Sequence, residues 1–293
     1  MNGVIVVDKP AGWTSHDVVG KMRRIAGTKK VGHLGTLDPA ATGVLPLLLN
    51  RATRLAQFFT HNEKVYEGVI RFGWSTDTYD AEGEPTSPIT EVIIERDRLE
   101  AVLDASRGVI QQMPPPVSAK KIGGRPAYEL VRKHIAVEMA PVEVTVFALD
   151  VLWLEGAEAG VRVHCGSGTY LRSIAHDAGL AMGCGAHLKS LRRLQSGPFK
   201  IESARTLEEL GRMGAEERLR EALIPAMQLL PEFPSEIVDQ ITEGQIRQGR
   251  DFRVSPFRVR DDVRMVKAVS RSGDLIAIGH AVLPNLYHPI LVL

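Results

Sequence analysis

The chain has 293 residues, 44% of them hydrophobic and 24% charged, which supplies one large core and a smaller one and excludes a disordered protein. Lys and Arg number 36 against 35 Asp and Glu, so the net charge of +1 argues neither for nor against a nucleic-acid partner, and only local clustering of the bases is informative. Two cysteines, Cys165 and Cys184, are too few for a disulfide framework or a zinc site, and no apolar run approaches the roughly 20 residues that span a bilayer. The start, MNGVIVVDKP, carries no basic segment ahead of its short apolar run, so the expectation is a soluble cytoplasmic protein.

Gly3 to Val7 is β-branched and reads as a strand, ending at Asp8-Lys9-Pro10 and an Ala11-Gly12 turn. Thr14 and Asp17 have capping-box spacing, with Asp in place of Glu, and Val18, Met22 and Ile25 recur at helical intervals until Gly27. Lys21 and Arg24 lie on the opposite face, followed by Lys29 and Lys30. They form either a solvated face or a set of cations that steers a phosphate backbone. Lys30 to Leu49, KVGHLGTLDPAATGVLPLLL, then packs three glycines around a single carboxylate, Asp38. Gly35 and Gly43 permit positive φ or close backbone approach, and Pro39 drives Asp38 away from the α region. Such a loop holds one carboxylate in one place; the same dipeptide also serves to start a turn or cap a helix.

Arg51 to Phe59 reads as a short helix, and Lys64 to Phe72 as a strand with Tyr66, Ile70 and Phe72 inward, where the tyrosine by itself is ordinary core. Thr76 to Gly83 reads as a surface turn without chemistry, and Asp97 to Gly108 as a helix with Leu99, Val102 and Leu103 inward and Gly108 as its stop. After the irregular Gln112 to Pro116, Lys120, Lys121 and Arg125 flank Gly123-Gly124 on a flexible basic segment. Glu143 to Leu154 and Gly160 to His164 form a hairpin, and Gly166-Ser-Gly168 launches a helix from Thr169 to Met182. Arg172 falls in its first turn, where the helix dipole prefers a carboxylate; a cation placed there is often paired. In LKSLRR, Leu191 is surrounded by Lys189, Arg192 and Arg193. Thr206 and Glu209 make a second capping box, and the Pro-punctuated IPAMQLLPEFP divides the chain into units of about 1–228 and 229–293. Gly244 to Arg271 holds eight Lys and Arg, Arg250 among them, against three Asp, and Val263 to Val269 and Leu275 to Ala281 read as strands of a small β barrel.

The segment GHLGTLDPAATGVLP resembles the motif that carries the catalytic aspartate of the TruB family of tRNA pseudouridine synthases. GVIVVDKPAGWTSHDVV, KVYEGVIRFG, GSGTYLRSIAHDAG and GCGAHLKSLRRLQSGPF resemble the same family in the same order, from about residue 3 to about residue 200. The resemblance implies an α+β fold, with a large, mostly antiparallel mixed sheet and, on a looser likeness, a C-terminal PUA-like β barrel. It implies isomerisation of the uridine at position 55 in the T loop of tRNA, with no cofactor, metal or protein partner and a monomeric enzyme. Asp38 is then the catalytic carboxylate, Arg172 its ion-pair partner, and Tyr66 of Lys64-Val65-Tyr66 lies against the target base. Leu191 packs at the base pocket, His33 takes up space near the vacated stack, and Lys120, Lys121 and Arg125 belong to an arm that closes over the RNA. Lys64, Arg192, Arg193 and Arg250 complete the RNA-facing set. Thr76, Thr78, Asp80 and Gly83 match the family's T-x-T-x-D-x-x-G turn. A non-catalytic RNA-binding protein or chaperone, and a guide-RNA-dependent enzyme acting on ribosomal RNA, are the competing readings.

Overall fold

The computed structural model describes residues 1–117, 139–255 and 263–293, together with the backbone of two short strands at 121–122 and 125–126. Lys120 therefore lies outside the described residues, and of Lys121 and Arg125 only the backbone is described. No helix among the described residues is long and apolar enough to cross a membrane.

The chain opens with β1 (Gly3–Lys9), α1 (Ser15–Ile25), β2 (Val31–His33), β3 (Thr42–Leu49) and β4 (Lys64–Phe72). Next come α2 (Arg96–Asp104), β5 (Gly108–Gln112), the small pair β6 (Lys121–Ile122) and β7 (Arg125–Pro126), and the hairpin β8 (Val142–Glu155) and β9 (Glu158–Cys165). Then follow α3 (Leu171–Met182), β10 (Ala186–Ser196), β11 (Phe199–Lys200), β12 (Arg205–Thr206), α4 (Leu207–Ala215) and β13 (Ile224–Pro225). The main sheet runs in the order β12-β1-β3-β10-β4-β9-β8-β5, with β2, β11 and β13 pairing at its sides. A second, five-stranded sheet is built from β14 (Ser235–Ile237), β15 (Phe252–Arg253), β16 (Met265–Val269), β17 (Leu275–Leu283) and β18 (Leu286–Val292), with α5 (Gln240–Arg247) between the first two. This is the α+β architecture expected from the sequence.

β1 and β3 are apolar on both faces because both faces are covered, as befits central strands. Ile5, Val7, Leu45, Leu47 and Leu49 pack with α1, α2, α3 and α4 through Val18, Met22, Leu99, Ile174 and Leu210. The alternate residues Val4, Val6, Val44 and Leu48 point the other way. They share a cluster with Val269, Leu275, Ile278, Leu291 and Leu293 of the second sheet. Burying one such aliphatic side chain is worth about 1.5–3 kcal/mol, so the C-terminal unit is fastened to the main sheet by a common apolar core. Lys267, counted from sequence among the C-terminal cations, is buried there and donates to the carbonyls of Met227 and Leu229 at 3.0 and 3.1 Å. It faces protein, not a polyanion.

The placement of β10 matters most for the site. It enters between β3 and β4, parallel to β3 through Arg192 and Arg193 opposite Thr42 and Gly43, and antiparallel to β4 with Arg193 opposite Tyr66. A Cβ at Gly43, which has φ of +100°, would sit 2.2 Å from the Arg193 carbonyl oxygen, so only glycine lets these two strands meet. Three boundaries differ from the sequence reading. Asn50–Phe59 is a 3-10 helix. α2 ends at Asp104 and Gly108, at φ of +80°, turns the chain into β5 instead of stopping the helix. α3 starts at Leu171, because Tyr170 is extended, with φ of −106° and ψ of 110°, and serves as the N-cap, its N–H bound by the Gln112 side chain at 2.7 Å.

Candidate active site

Asp38 sits on a loop pinned at both neighbours. On one side, Ser15 Oγ, at the start of α1, accepts from the Leu37 N–H at 2.9 Å and donates to the Leu37 carbonyl at 3.1 Å. On the other, the Pro39 carbonyl accepts from Lys9 Nζ and from the Gly12 N–H, both at 2.9 Å. Lys9 is fully buried and also donates to the Pro10 and Trp13 carbonyls; burial pushes its pKa down to about 8, against the pull of Asp38. Arg193, 1% exposed, donates to the carbonyls of Val44, Thr36 and Gly35 at 2.7, 3.3 and 3.1 Å. Two buried cations thus take up the loop's carbonyls from below, which leaves the carboxylate as the group facing out. Lys9→Met removes a donor from three carbonyls, of which, among the described residues, only that of Pro39 keeps another, the Gly12 N–H. It is expected to cost roughly 3 kcal/mol and lower the melting temperature by several degrees, read by thermal denaturation.

The Asp38 side chain is 42% exposed and is held by Arg172, whose Nη2 lies 3.0 Å from its Oδ2. Arg172 itself is 6% exposed and emerges from the first turn of α3. Its second nitrogen, Nη1, donates to the Thr78 carbonyl at 3.1 Å and lies 3.4 Å from Asp80 Oδ2. One guanidinium is therefore divided between two carboxylates, of which Asp38 looks into a cavity. That cavity, about 310 Å³, is bounded by Asp38, Arg172, Tyr66, Leu191 and Lys64 and by the Gly166 to Leu171 turn. Its size suits a planar heterocycle.

Tyr66 is buried on the inward face of β4, and burial lifts its phenol above the ordinary value despite the nearby Arg193. A phenol so placed holds its proton and is suited to packing against a base, not to removing a proton from it. Leu191 supplies an apolar wall, while Lys64 donates to the Asn62 carbonyl and burial lowers its pKa.

Of the other residues expected at the site, Arg193 lines the cavity, whereas His33, Arg192 and Arg250 do not. His33 does not line the cavity; it is half-buried on β2, its Nδ1 has no hydrogen-bond partner among the described residues, and burial lowers its pKa so that the ring favours neutrality. Arg192, expected to face RNA, makes a forked pair with Asp8 at 2.7 and 3.1 Å. Arg193, expected to do the same, is a buried loop support, since the strand alternation that exposes Arg192 turns its neighbour inward. Arg250 is exposed beyond α5, in the C-terminal unit.

The turn at Thr76 to Gly83, read from sequence as a surface element without chemistry, is corrected. Asp80 is only 14% exposed on its side chain and is one of the two anions on Arg172. Thr76 Oγ1 donates to the Asp80 carbonyl at 2.7 Å and Thr78 Oγ1 to its Oδ1 at 2.6 Å, so the threonines of this turn exist to aim that carboxylate. Their density around one acid was the available signal. Lys9 gave none, since a lysine between Asp and Pro at a strand end reads as solvated. Asp80→Ala is expected to slow turnover on the order of tenfold with RNA affinity unchanged, measured by single-turnover kinetics beside filter binding.

Residues 23–171 match a family model described as TruB family pseudouridylate synthase, N-terminal domain, and residues 172–230 match one for the tRNA pseudouridylate synthase B C-terminal domain. The chain belongs to the TruB family of pseudouridine synthases. The two matched segments meet at Arg172 and divide a single sheet, since β10 of the second is inserted between β3 and β4 of the first. Similar TruB relatives include a tRNA pseudouridine synthase B of Solibacter usitatus, 62% identical over 293 residues and the whole of both chains. One from Paenarthrobacter aurescens is 44% identical over 289 residues, 95% of this chain and 91% of that one. Among solved structures, a Cbf5-Nop10-Gar1 complex matches at 30% identity with a TM-score of 0.70, over 97% of this chain and 79% of that chain. An archaeal box H/ACA sRNP Nop10-Cbf5 complex matches at 27% and 0.71, over 99% and 85%.

Proposed function

We propose that this TruB-family enzyme isomerises the uridine at position 55 in the T loop of tRNA, with Asp38 acting on a nucleotide flipped into the cavity beneath Arg172. The chain is a tRNA pseudouridine synthase, as its curated relatives are named. The observation that carries the residue roles is the 3.0 Å pair of Arg172 with a half-exposed Asp38 at the mouth of a cavity walled by Tyr66 and Leu191. The reaction is redox-neutral: the C1′ to N1 bond breaks, the base turns, C1′ joins C5, the C5 proton leaves and N1 gains one. Asp38 meets the carbon that becomes electron-poor at the sugar-base junction, while the guanidinium fixes its rotamer and balances its charge. Flipping costs a few kcal/mol, returned by the Tyr66 ring and polar contacts, and recognition rests on loop shape and phosphates.

Residues 1–228 are the catalytic unit and 229–293 an RNA-binding unit of the PUA type, in a monomer that works in the cytoplasm without a protein partner. Because the two units share an apolar core, charge substitution is a better probe than truncation. Arg250→Ala is expected to weaken tRNA binding by severalfold, reduce the salt dependence of log Kd by about one counterion, and leave the bound-state rate unchanged. The whole reading is tested with the purified chain and an unmodified tRNA transcript, following release of tritium from C5. Product at position 55 without added factors supports it. Binding without product favours a chaperone, and product on ribosomal RNA only with a guide favours the other enzyme class.

A further inference from the structure

Among the aromatic contacts of the described residues, one is a close face-to-face stack that the chemistry above leaves unused. Tyr79 and His176 stack with ring centroids 3.7 Å apart and planes 10° from parallel. His176 is four residues beyond Arg172 on α3, so the helix presents guanidinium and imidazole on one face. Tyr79 lies between the two turn residues that Arg172 Nη1 touches, Thr78 through its carbonyl at 3.1 Å and Asp80 through its carboxylate at 3.4 Å.

Tyr79 also has φ of +64°, in the left-handed region that a bulky side chain rarely occupies. Such a conformation persists only where its surroundings over-determine it. Here the backbone supplies part of the restraint, with the Leu188 N–H donating to the Tyr79 carbonyl at 2.9 Å and the Tyr79 N–H to the Thr76 carbonyl at 3.3 Å, and the ring stack adds to it. The imidazole is not kept for a hydrogen bond at Nδ1, which is buried with no partner among the described residues; its face is what the turn uses. A serine or asparagine at position 79 would make the same turn with less strain, so the tyrosine is explained by what its ring grips.

We propose that the Tyr79–His176 stack is a positioning clamp that locks the Thr78 to Asp80 turn onto the Arg172 helix and so sets how the guanidinium is divided between Asp80 and Asp38. The proposal rests on the reading of Asp38 and Arg172 as the catalytic pair. Neither ring lines the cavity, so neither touches the target base; the effect on the chemistry passes through Arg172. Release of the turn lengthens the 3.4 Å contact first, being the weakest of the three, and the guanidinium then follows whichever carboxylate remains.

The experiment compares Tyr79→Asn, His176→Ala, His176→Phe and the double Tyr79→Asn/His176→Ala, each by single-turnover rate on saturating unmodified tRNA and by tRNA Kd. Asn accepts the left-handed backbone, so Tyr79→Asn removes the ring without adding strain. The expected result is a loss of about tenfold in rate for Tyr79→Asn and for His176→Ala, with Kd within about twofold. The double variant is expected to be no slower than the slower single, because both remove one contact. His176→Phe, which keeps a ring face, is expected to restore the rate to within about twofold of wild type. Wild-type rates in both single ring-removal variants, losses in Kd alone, multiplying losses in the double, or a His176→Phe as slow as His176→Ala would each overturn the clamp. Wild type and Asp38→Asn run alongside. An inactive wild type overturns the function itself, whereas an active wild type, a dead Asp38→Asn and normal clamp variants overturn only this inference.

Discussion

Asp38→Asn is expected to abolish isomerisation, by at least roughly a thousandfold in single-turnover rate, while tRNA affinity stays within about twofold. The amide is nearly isosteric, and the loop that holds it is fixed by Ser15, Lys9 and Arg193 acting on backbone groups of Leu37, Pro39, Gly35 and Thr36. None of these contacts uses the Asp38 side chain, so the substitution leaves the fold in place. What disappears is the negative oxygen at the reacting carbon and half of the charge balance on Arg172. Arg172 retains Asp80, which limits the loss of stability. Rate by tritium release and affinity by filter binding separate the two effects. Substantial turnover by Asp38→Asn would remove the carboxylate from the chemistry altogether.

Arg172→Ala is expected to lower the rate by two to three orders of magnitude, roughly, because a fixed counter-charge at the reacting group is lost. Unlike Asp38→Asn it is also expected to cost stability, about 2 kcal/mol, since Asp80 is left largely buried without its cation and the Thr78 carbonyl without its donor. For a chain of this size that corresponds to a fall of several degrees in melting temperature. Arg172→Lys is the sharper experiment. An ammonium keeps the charge but has no planar fork with which to reach Asp38, Asp80 and a carbonyl together. The lysine variant is therefore expected to recover most of the stability and little of the rate. Equal recovery of both would reduce Arg172 to a generic cation.

Much of this was legible in the sequence, and the limits are physical. The capping boxes at Thr14 and Thr206, the alternation of Lys64 to Phe72 and the β8–β9 hairpin follow from local periodicity, and all form as expected. Local rules say nothing about strand order, so the entry of β10 between β3 and β4 was invisible, and with it the contrast between Arg192 and Arg193. Adjacent in the chain and alike in type, one faces Asp8 and the other is buried beneath the loop. The odd position of Arg172 in a helix's first turn did announce a pairing. The second acid was signalled only by the threonines crowded near it, in a turn whose residue types also suit plain solvent exposure.

The central strand supplied late in the chain has a consequence for biogenesis. Thr42 and Arg192, hydrogen-bonded neighbours across the completed sheet, are 150 residues apart in synthesis order. At about 5–20 residues per second, a ribosome needs on the order of ten seconds to deliver the later partner after the earlier one. Until then β4 has one bare edge, β3 is open where β2 does not cover it, at Thr42 and Gly43, and the nascent polypeptide lacks the finished pocket. A partly made copy is therefore chemically silent toward tRNA, and its exposed edges are the place where a holdase would have to act.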